Sequence, residues 1–85
     1  FSLHQNYPNP FNPTTIIAFE ISDRANIQLT IYDAAGKEIK VLVNGIKSAG
    51  KYEIEWDASE YPSGIYFYKL ESNSLSETKK MALIK

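Results

Sequence analysis

The chain contains no cysteine, which removes disulfide frameworks, thiolate metal sites and thiol redox chemistry from consideration. It carries a single histidine, His4, in a proline-rich stretch with no serine or cysteine elbow anywhere, so a nucleophilic triad has no base to work with. Charge of one sign is equally absent. Nine basic and ten acidic residues are spread along the chain for a net charge of -1, which leaves no electrostatic footprint for nucleic acid or an anionic membrane. No apolar run approaches the ~20 residues that span a bilayer as a helix, and nothing at the start has the form of a signal peptide. The four glycines are scattered and make no phosphate-binding loop.

At 85 residues the chain has room for one small core. By size scaling it buries somewhat over ~60% of its unfolded surface, for a net stability of order ~4 to 13 kcal/mol. It begins at Phe1 rather than methionine, so the expectation is a piece of a longer polypeptide or a processed product, with any export signal elsewhere or of another kind.

Aromatic and β-branched residues are plentiful, and the helical period of 3.6 is missing. Tyr61 to Leu70 is the organising stretch. Pro62-Ser63-Gly64 is a turn signal, and Ile65 to Leu70 is a strand with bulk on both faces, which suits an interior position. Before it, Thr15, Ile17, Phe19 and Ile21 alternate with Ile16, Ala18 and Glu20, and after the turn at Ser22 to Ala25, Ile27, Leu29 and Ile31 alternate with Gln28, Thr30 and Tyr32. Asp33-Ala34-Ala35-Gly36 is a hairpin loop in which Asp33 caps and Gly36 supplies a left-handed residue. Lys37 to Val43 is a third strand whose stripe of Ile39, Val41 and Val43 is interrupted by Leu42, which points to a bulge. Asn44 to Gly50 is expected as a longer loop, with room for a brief edge strand. Tyr52, Ile54 and Trp56 alternate with Lys51, Glu53, Glu55 and Asp57. Leu75 to Ile84 forms the last strand, with Met81 and Leu83 inward and Thr78, Lys79 and Lys80 guarding an exposed edge.

The pattern is all-β: an antiparallel sandwich of about seven strands, immunoglobulin-like or fibronectin-like, with Trp56 filling the space between sheets. Tyr66, two residues after Gly64, has the spacing of a tyrosine corner. Residues 14–85 form the sandwich. Residues 1–13 hold three of the four prolines and form an extended lead-in whose Phe1, Leu3, Tyr7 and Phe11 pack on the domain and close one end of its core.

Few groups point to chemistry. Glu53 and Glu55 share one strand face about 7 Å apart, the form a carboxylate pair would take, but without a cleft they read as a solvated face. Asp23, Asp33 and Asp57 fall at turns without the spacing of a calcium loop and read as turn caps. Tyr32, Tyr61 and Phe67 are the rings left over for stacking on a glycan once Trp56, Tyr66 and Tyr68 are assigned to the core. No catalytic, cofactor or metal residue emerges, and the reading is of a non-enzyme.

The order of motifs carries more. Gln5-Asn6-Tyr7-Pro8-Asn9-Pro10-Phe11-Asn12-Pro13-Thr14-Thr15, then Ile31-Tyr32-Asp33 before Gly36-Lys37-Glu38, Trp56-Asp57, Pro62-Ser63-Gly64-Ile65-Tyr66-Phe67-Tyr68, and Thr78-Lys79-Lys80-Met81 together resemble the type A C-terminal sorting domain of type IX secretion substrates. The immunoglobulin-like domain of flagellar hook-capping proteins is similar more distantly. The resemblance implies a non-catalytic signal at the C-terminus of a larger exported cargo of Bacteroidetes or relatives. Such a signal is read by the outer-membrane translocon and its shuttle protein, and often removed by a sortase-like peptidase that attaches the cargo to surface lipopolysaccharide. Localisation would then be the cell surface or the medium, by way of the periplasm and outer membrane. On that basis Lys79, Lys80 and Lys85 are expected to meet the translocon by strand addition at an open terminal edge, with Gly64 and Tyr66 shaping the site and Asn9, Pro10, Phe11, Asn12 and Pro13 as family motif. The alternative is an accessory sandwich that binds glycan, a neighbouring domain or a second copy.

Overall fold

Two antiparallel sheets face each other in the computed structural model, which describes residues 1–85. The strands are β1 (Ser2–Leu3), β2 (Thr14–Ile21), β3 (Ala25–Tyr32), β4 (Glu38–Lys47), β5 (Gly50–Asp57), β6 (Gly64–Ser72) and β7 (Leu75–Leu83). One sheet has the order β1-β2-β5 and the other β4-β3-β6-β7, so β6 is an interior strand and β7 an edge. Strict alternation explains the layering. Leu3, Thr15, Ile17, Phe19, Ile21 and Trp56 bury the inner face of the three-stranded sheet, while Ile27, Leu29, Ile31, Val43, Tyr66, Tyr68, Leu70, Met81 and Leu83 bury that of the other. The seven-stranded immunoglobulin-like or fibronectin-like sandwich expected from the pattern is the fold observed.

Turn chemistry follows the residues. Asp33 Oδ1 accepts the N–H groups of Ala35 (3.0 Å) and Lys37 (2.9 Å), and Gly36 has φ of +87°, a value that disfavours any side chain. Ser72 pairs with Leu75, leaving Asn73-Ser74 as a two-residue hairpin in which Asn73 adopts φ of +51°. The Tyr66 hydroxyl donates to the Pro62 carbonyl at 2.6 Å, closing the tyrosine corner over the turn that starts β6.

Two expectations need correction. The stretch Asn44 to Gly50 is mostly strand: Asn44 pairs with Gln28 and Gly45 with Ile27, so β4 runs to Lys47 and only Ser48-Ala49 links it to the opposite sheet. Pairing with buried Ile27 overrides the local Asn-Gly turn signal. The stripe of Ile39, Val41 and Val43 is also broken. Register shifts leave Leu42 and Ile39 without partners in β3, so the expected bulge is accompanied by a second one. Val43 is buried while Val41 turns outward at 40% exposure.

Antiparallel alternation sorts the molecule into two poles along its 37 Å axis. Phe1, Ser22 to Arg24, Ser48-Ala49 and Asn73-Ser74 lie at one. Pro8 to Pro13, Asp33 to Lys37, Ala58 to Ser63 and Ile84-Lys85 lie at the other.

Candidate recognition site at the terminal strand

The last strand is held from three directions. On one side β6 pairs with it along its whole length, from Gly64 opposite Leu83 to Ser72 opposite Leu75. From within, Met81 and Leu83 enter the core at 1% exposure each. On its outer side the expected open edge is largely covered, and the cover is the lead-in.

Proline dictates how. Pro8, Pro10 and Pro13 have no N–H, and their X-Pro bonds are cis. A strand made of such residues cannot build a ladder, so side-chain amides do much of the work. Leu3 pairs with Phe19 of β2, His4 N–H donates to Ala18 O (3.0 Å), and Tyr7 bridges Ile16. The chain then crosses to β7. Gln5 Nε2 donates to Lys80 O (2.8 Å), Asn9 Oδ1 accepts Ala82 N–H (3.0 Å), Phe11 N–H donates to Ala82 O (3.0 Å) and Ile84 N–H donates to Phe11 O (2.9 Å). Farther along, Leu3 N–H reaches Glu77 Oε1 at 3.2 Å. The correction to the open edge is therefore physical: the strand's outward amide and carbonyl groups from Lys80 to Ile84 need partners, and Gln5, Asn9 and Phe11 provide them.

Two buried groups pin the lead-in: Tyr68, which the pattern assigns to the core, and Asn6, which the sequence marks only as part of a motif. Asn6, 2% exposed, donates through Nδ2 to Pro8 O (3.1 Å) and Thr15 Oγ1 (3.0 Å) and accepts from Gln5 Nε2 (2.7 Å), while Thr15 Oγ1 donates to Pro8 O (2.9 Å). Tyr68, fully buried, donates its hydroxyl proton to His4 O (2.7 Å) and accepts Asn6 N–H (2.8 Å). Burial pushes the Tyr68 phenol up to about 12, against the opposing pull of the Asn6 N–H. The available signal for Asn6 was an asparagine at the head of a run holding Pro8, Pro10 and Pro13, whose missing donors side-chain amides must replace. Of the lead-in's apolar residues, Leu3 and Phe11 are buried and Phe1 half-buried, while Tyr7 stands 80% exposed.

The predicted site residues do not share one surface. Lys80 is exposed on the outer face opposite Phe67, whereas Lys79 is opposite Tyr68 on the inner side, its Nζ 3.7 Å from Glu77 Oε2. Lys85 lies at the far pole, its N–H donating to Ser63 Oγ (3.0 Å) and its Nζ to Ser59 O (2.5 Å). Nearby, Asp57 Oδ1 accepts from both the hydroxyl and the N–H of Ser59, which with the Lys85 charge holds the carboxyl below its usual value. Gly64 opens β6 with φ of +154°, and Tyr66, 4% exposed, is a core residue whose phenol burial raises above the ordinary value. In the family motif Asn9 and Phe11 grip β7, Pro13 O accepts Ala58 N–H, and Pro10 and Asn12 are placed at the far pole.

The other candidates are dispersed. His4 Nε2 lies 3.8 Å from Glu20 Oε1 on the surface, Glu53 and Glu55 project from the exposed face of β5, and Asp33 and Asp57 are occupied as turn caps. Tyr32 and Phe67 pair across β3 and β6 on the outer face, but Tyr61 packs on Trp56 and Tyr66 at 5.6 and 6.4 Å, so the three rings form no continuous ridge.

A family model described as the secretion system C-terminal sorting domain matches residues 5–85. The chain belongs to this family. As a sorting domain it is a C-terminal signal for type IX secretion, which implies export to the cell surface or the medium, and the family is not known as catalytic. Among solved structures, that of PorZ, an essential bacterial surface component of the type-IX secretion system of Porphyromonas gingivalis, is similar at 20% identity with a TM-score of 0.63. The likeness covers 98% of the sorting domain and 11% of that chain, so the sorting domain spans about a tenth of the length of that protein. It shows the shared fold. No curated protein matches.

Proposed function

We propose that the sorting domain works without catalysis, as a folded address on an upstream cargo. The outer-membrane translocon and its shuttle protein read it after passage through the periplasm, and a sortase-like peptidase then separates it from the cargo. Lys79, Lys80 and Lys85 are the side chains read, while Gly64 and Tyr66 set the turn that starts β6, the strand paired with β7. The observation that supports this best is the family match over a chain whose terminal strand bears Lys79 and Lys80 and runs toward the pole where Lys85 lies.

A cargo protein fused to the domain with Lys79, Lys80 and Lys85 all changed to alanine tests it. Export is expected to fall at least tenfold. Folding is expected to change by about 1 kcal/mol, because none of the three is buried and the Lys79–Glu77 pair is partly exposed. Unimpaired export of the triple variant sinks the assignment. Deleting the last residues is a poorer test, since it also removes Met81 and Leu83 from the core.

A further inference from the structure

The cover on β7 differs along its length. From Lys80 to Ile84 its outer side is bonded to Gln5, Asn9 and Phe11. From Leu75 to Thr78 no strand pairs with that side, and β1 touches it through the Glu77 carboxylate. Between Tyr7 and Pro13 the lead-in is fastened at both ends, by Tyr7 to Ile16 and by Pro13 O to Ala58 N–H. The piece between them touches β7 through one side-chain amide, Asn9, and the backbone of one residue, Phe11. Its main anchor is the Phe11 ring, 2% exposed and 5.8 Å from the Trp56 ring.

We propose that Asn9 to Phe11 is a displaceable stand-in for a partner strand, and that an extended peptide of the sorting machinery, bearing an aromatic side chain, pairs with the chain from Thr78 to Ile84 by taking its place and that of the Gln5 amide on Lys80 O. This rests on the reading that the terminal strand is what the machinery recognises. The open groups near Thr78 give the incoming strand a place to start. A peptide with its own N–H groups then builds a ladder that proline-flanked Asn9 and Phe11 cannot, and its aromatic ring refills the slot beside Trp56. The ends of the lead-in stay fastened, so opening is a local event of a few residues rather than unfolding of the sandwich.

Hydrogen exchange on the intact domain gives the first test. The Ala82 and Ile84 amides, bonded to the stand-in, are expected to exchange at least tenfold faster than the Leu70 amide of interior β6. Asn9→Ala is expected to speed Ala82 a further several-fold and leave Leu70 unchanged. The second test adds a synthetic peptide of residues 5–15 to the Phe11→Ala domain: Tm is expected to recover by several degrees, and the same peptide with alanine at position 11 is expected to have no effect. Should the Phe11→Ala domain fail to fold, the peptide is titrated against the Asn9→Ala domain with slowed exchange at Ala82 as the readout. Exchange of Ala82 and Ile84 at the rate of Leu70, or a peptide without effect in its titration, overturns the proposal. If the lysine variants nevertheless block export, the machinery reads the closed domain, and the sorting assignment stands while strand exchange falls.

Discussion

Trp56→Ala is expected to cost the domain at least a third of its stability. The indole sits at the far end of the core, 2% exposed, with its ring 5.8 Å from Phe11, 5.6 Å from Tyr61 and 5.6 Å from Tyr66. Truncating a buried aromatic to alanine costs ~3 to 5 kcal/mol, and each ring pair adds ~0.5 to 1.5 kcal/mol beyond its area. Against a total of order ~4 to 13 kcal/mol for a chain of this length, that loss removes a third of the stability or more. Phe11, Tyr61 and Tyr66 come from three separate segments, so the cavity has no single neighbour able to collapse into it. Trp56→Phe is the informative partner. The buried Nε1–H has no hydrogen-bond acceptor, so phenylalanine forfeits volume but no bond and is expected to cost less than about 2 kcal/mol. Urea unfolding of the two variants checks this; equal losses would mean that ring stacking at this end contributes little.

How much of this could be read beforehand divides along a physical line. Period-two alternation is a property of each strand alone, and where one face is buried it identifies that face, as in β2, where every second residue from Thr15 to Ile21 is buried. Turn residues act locally too, so Asp33 as a cap, Gly36 as a left-handed residue and Tyr66 as a corner were legible. What escaped was set by contact with remote segments. Asn44-Gly45 reads as a turn in isolation and becomes strand only because β3 lies beside it. The β4 bulges re-aim Val41 through register with β3, and a stripe drawn on one strand cannot show a register.

The candidate site suffered most from the same limit. A lysine-rich terminal strand looks like an unprotected edge when its neighbours are unknown, and nothing near Thr78 to Ile84 announces that residues more than 70 positions earlier supply its bonds. The three lysines read together as a motif, yet strand alternation sends Lys79 and Lys80 to opposite faces, and Lys85, beyond the end of β7, lies at the pole. The proline count argues against most ladder pairing in the lead-in, and the ladder there is confined to Ser2 and Leu3, ahead of the first proline. Its consequence, that Gln5, Asn6 and Asn9 side chains must replace the missing backbone donors, is the step by which the cover could have been anticipated.

The fastening of that cover makes the second large prediction. Tyr68 is the contact between interior β6 and the lead-in, and Tyr68→Phe keeps the ring while removing both hydrogen bonds of its hydroxyl. The His4 carbonyl and the Asn6 N–H then lose their shared partner where water has little access, at ~1 to 3 kcal/mol each, for an expected total of ~2 to 6 kcal/mol at neutral pH. The pH dependence is distinctive. The fold holds the phenol neutral, with its pKa up at about 12 where the unfolded chain titrates near 10. The contribution of Tyr68 is thus complete below pH 10, because neither state has lost the proton. Between pH 10 and 12 only the unfolded chain ionises, and stability falls by ~1.4 kcal/mol per pH unit, roughly 2 to 3 kcal/mol across the window. Phenylalanine has no proton to lose, so the difference between wild type and Tyr68→Phe is expected to hold steady from pH 7 to 10 and then narrow. Denaturant midpoints measured along that range decide it: a gap that stays constant to pH 12 would mean the phenol titrates alike in both states and is not the buried clasp described.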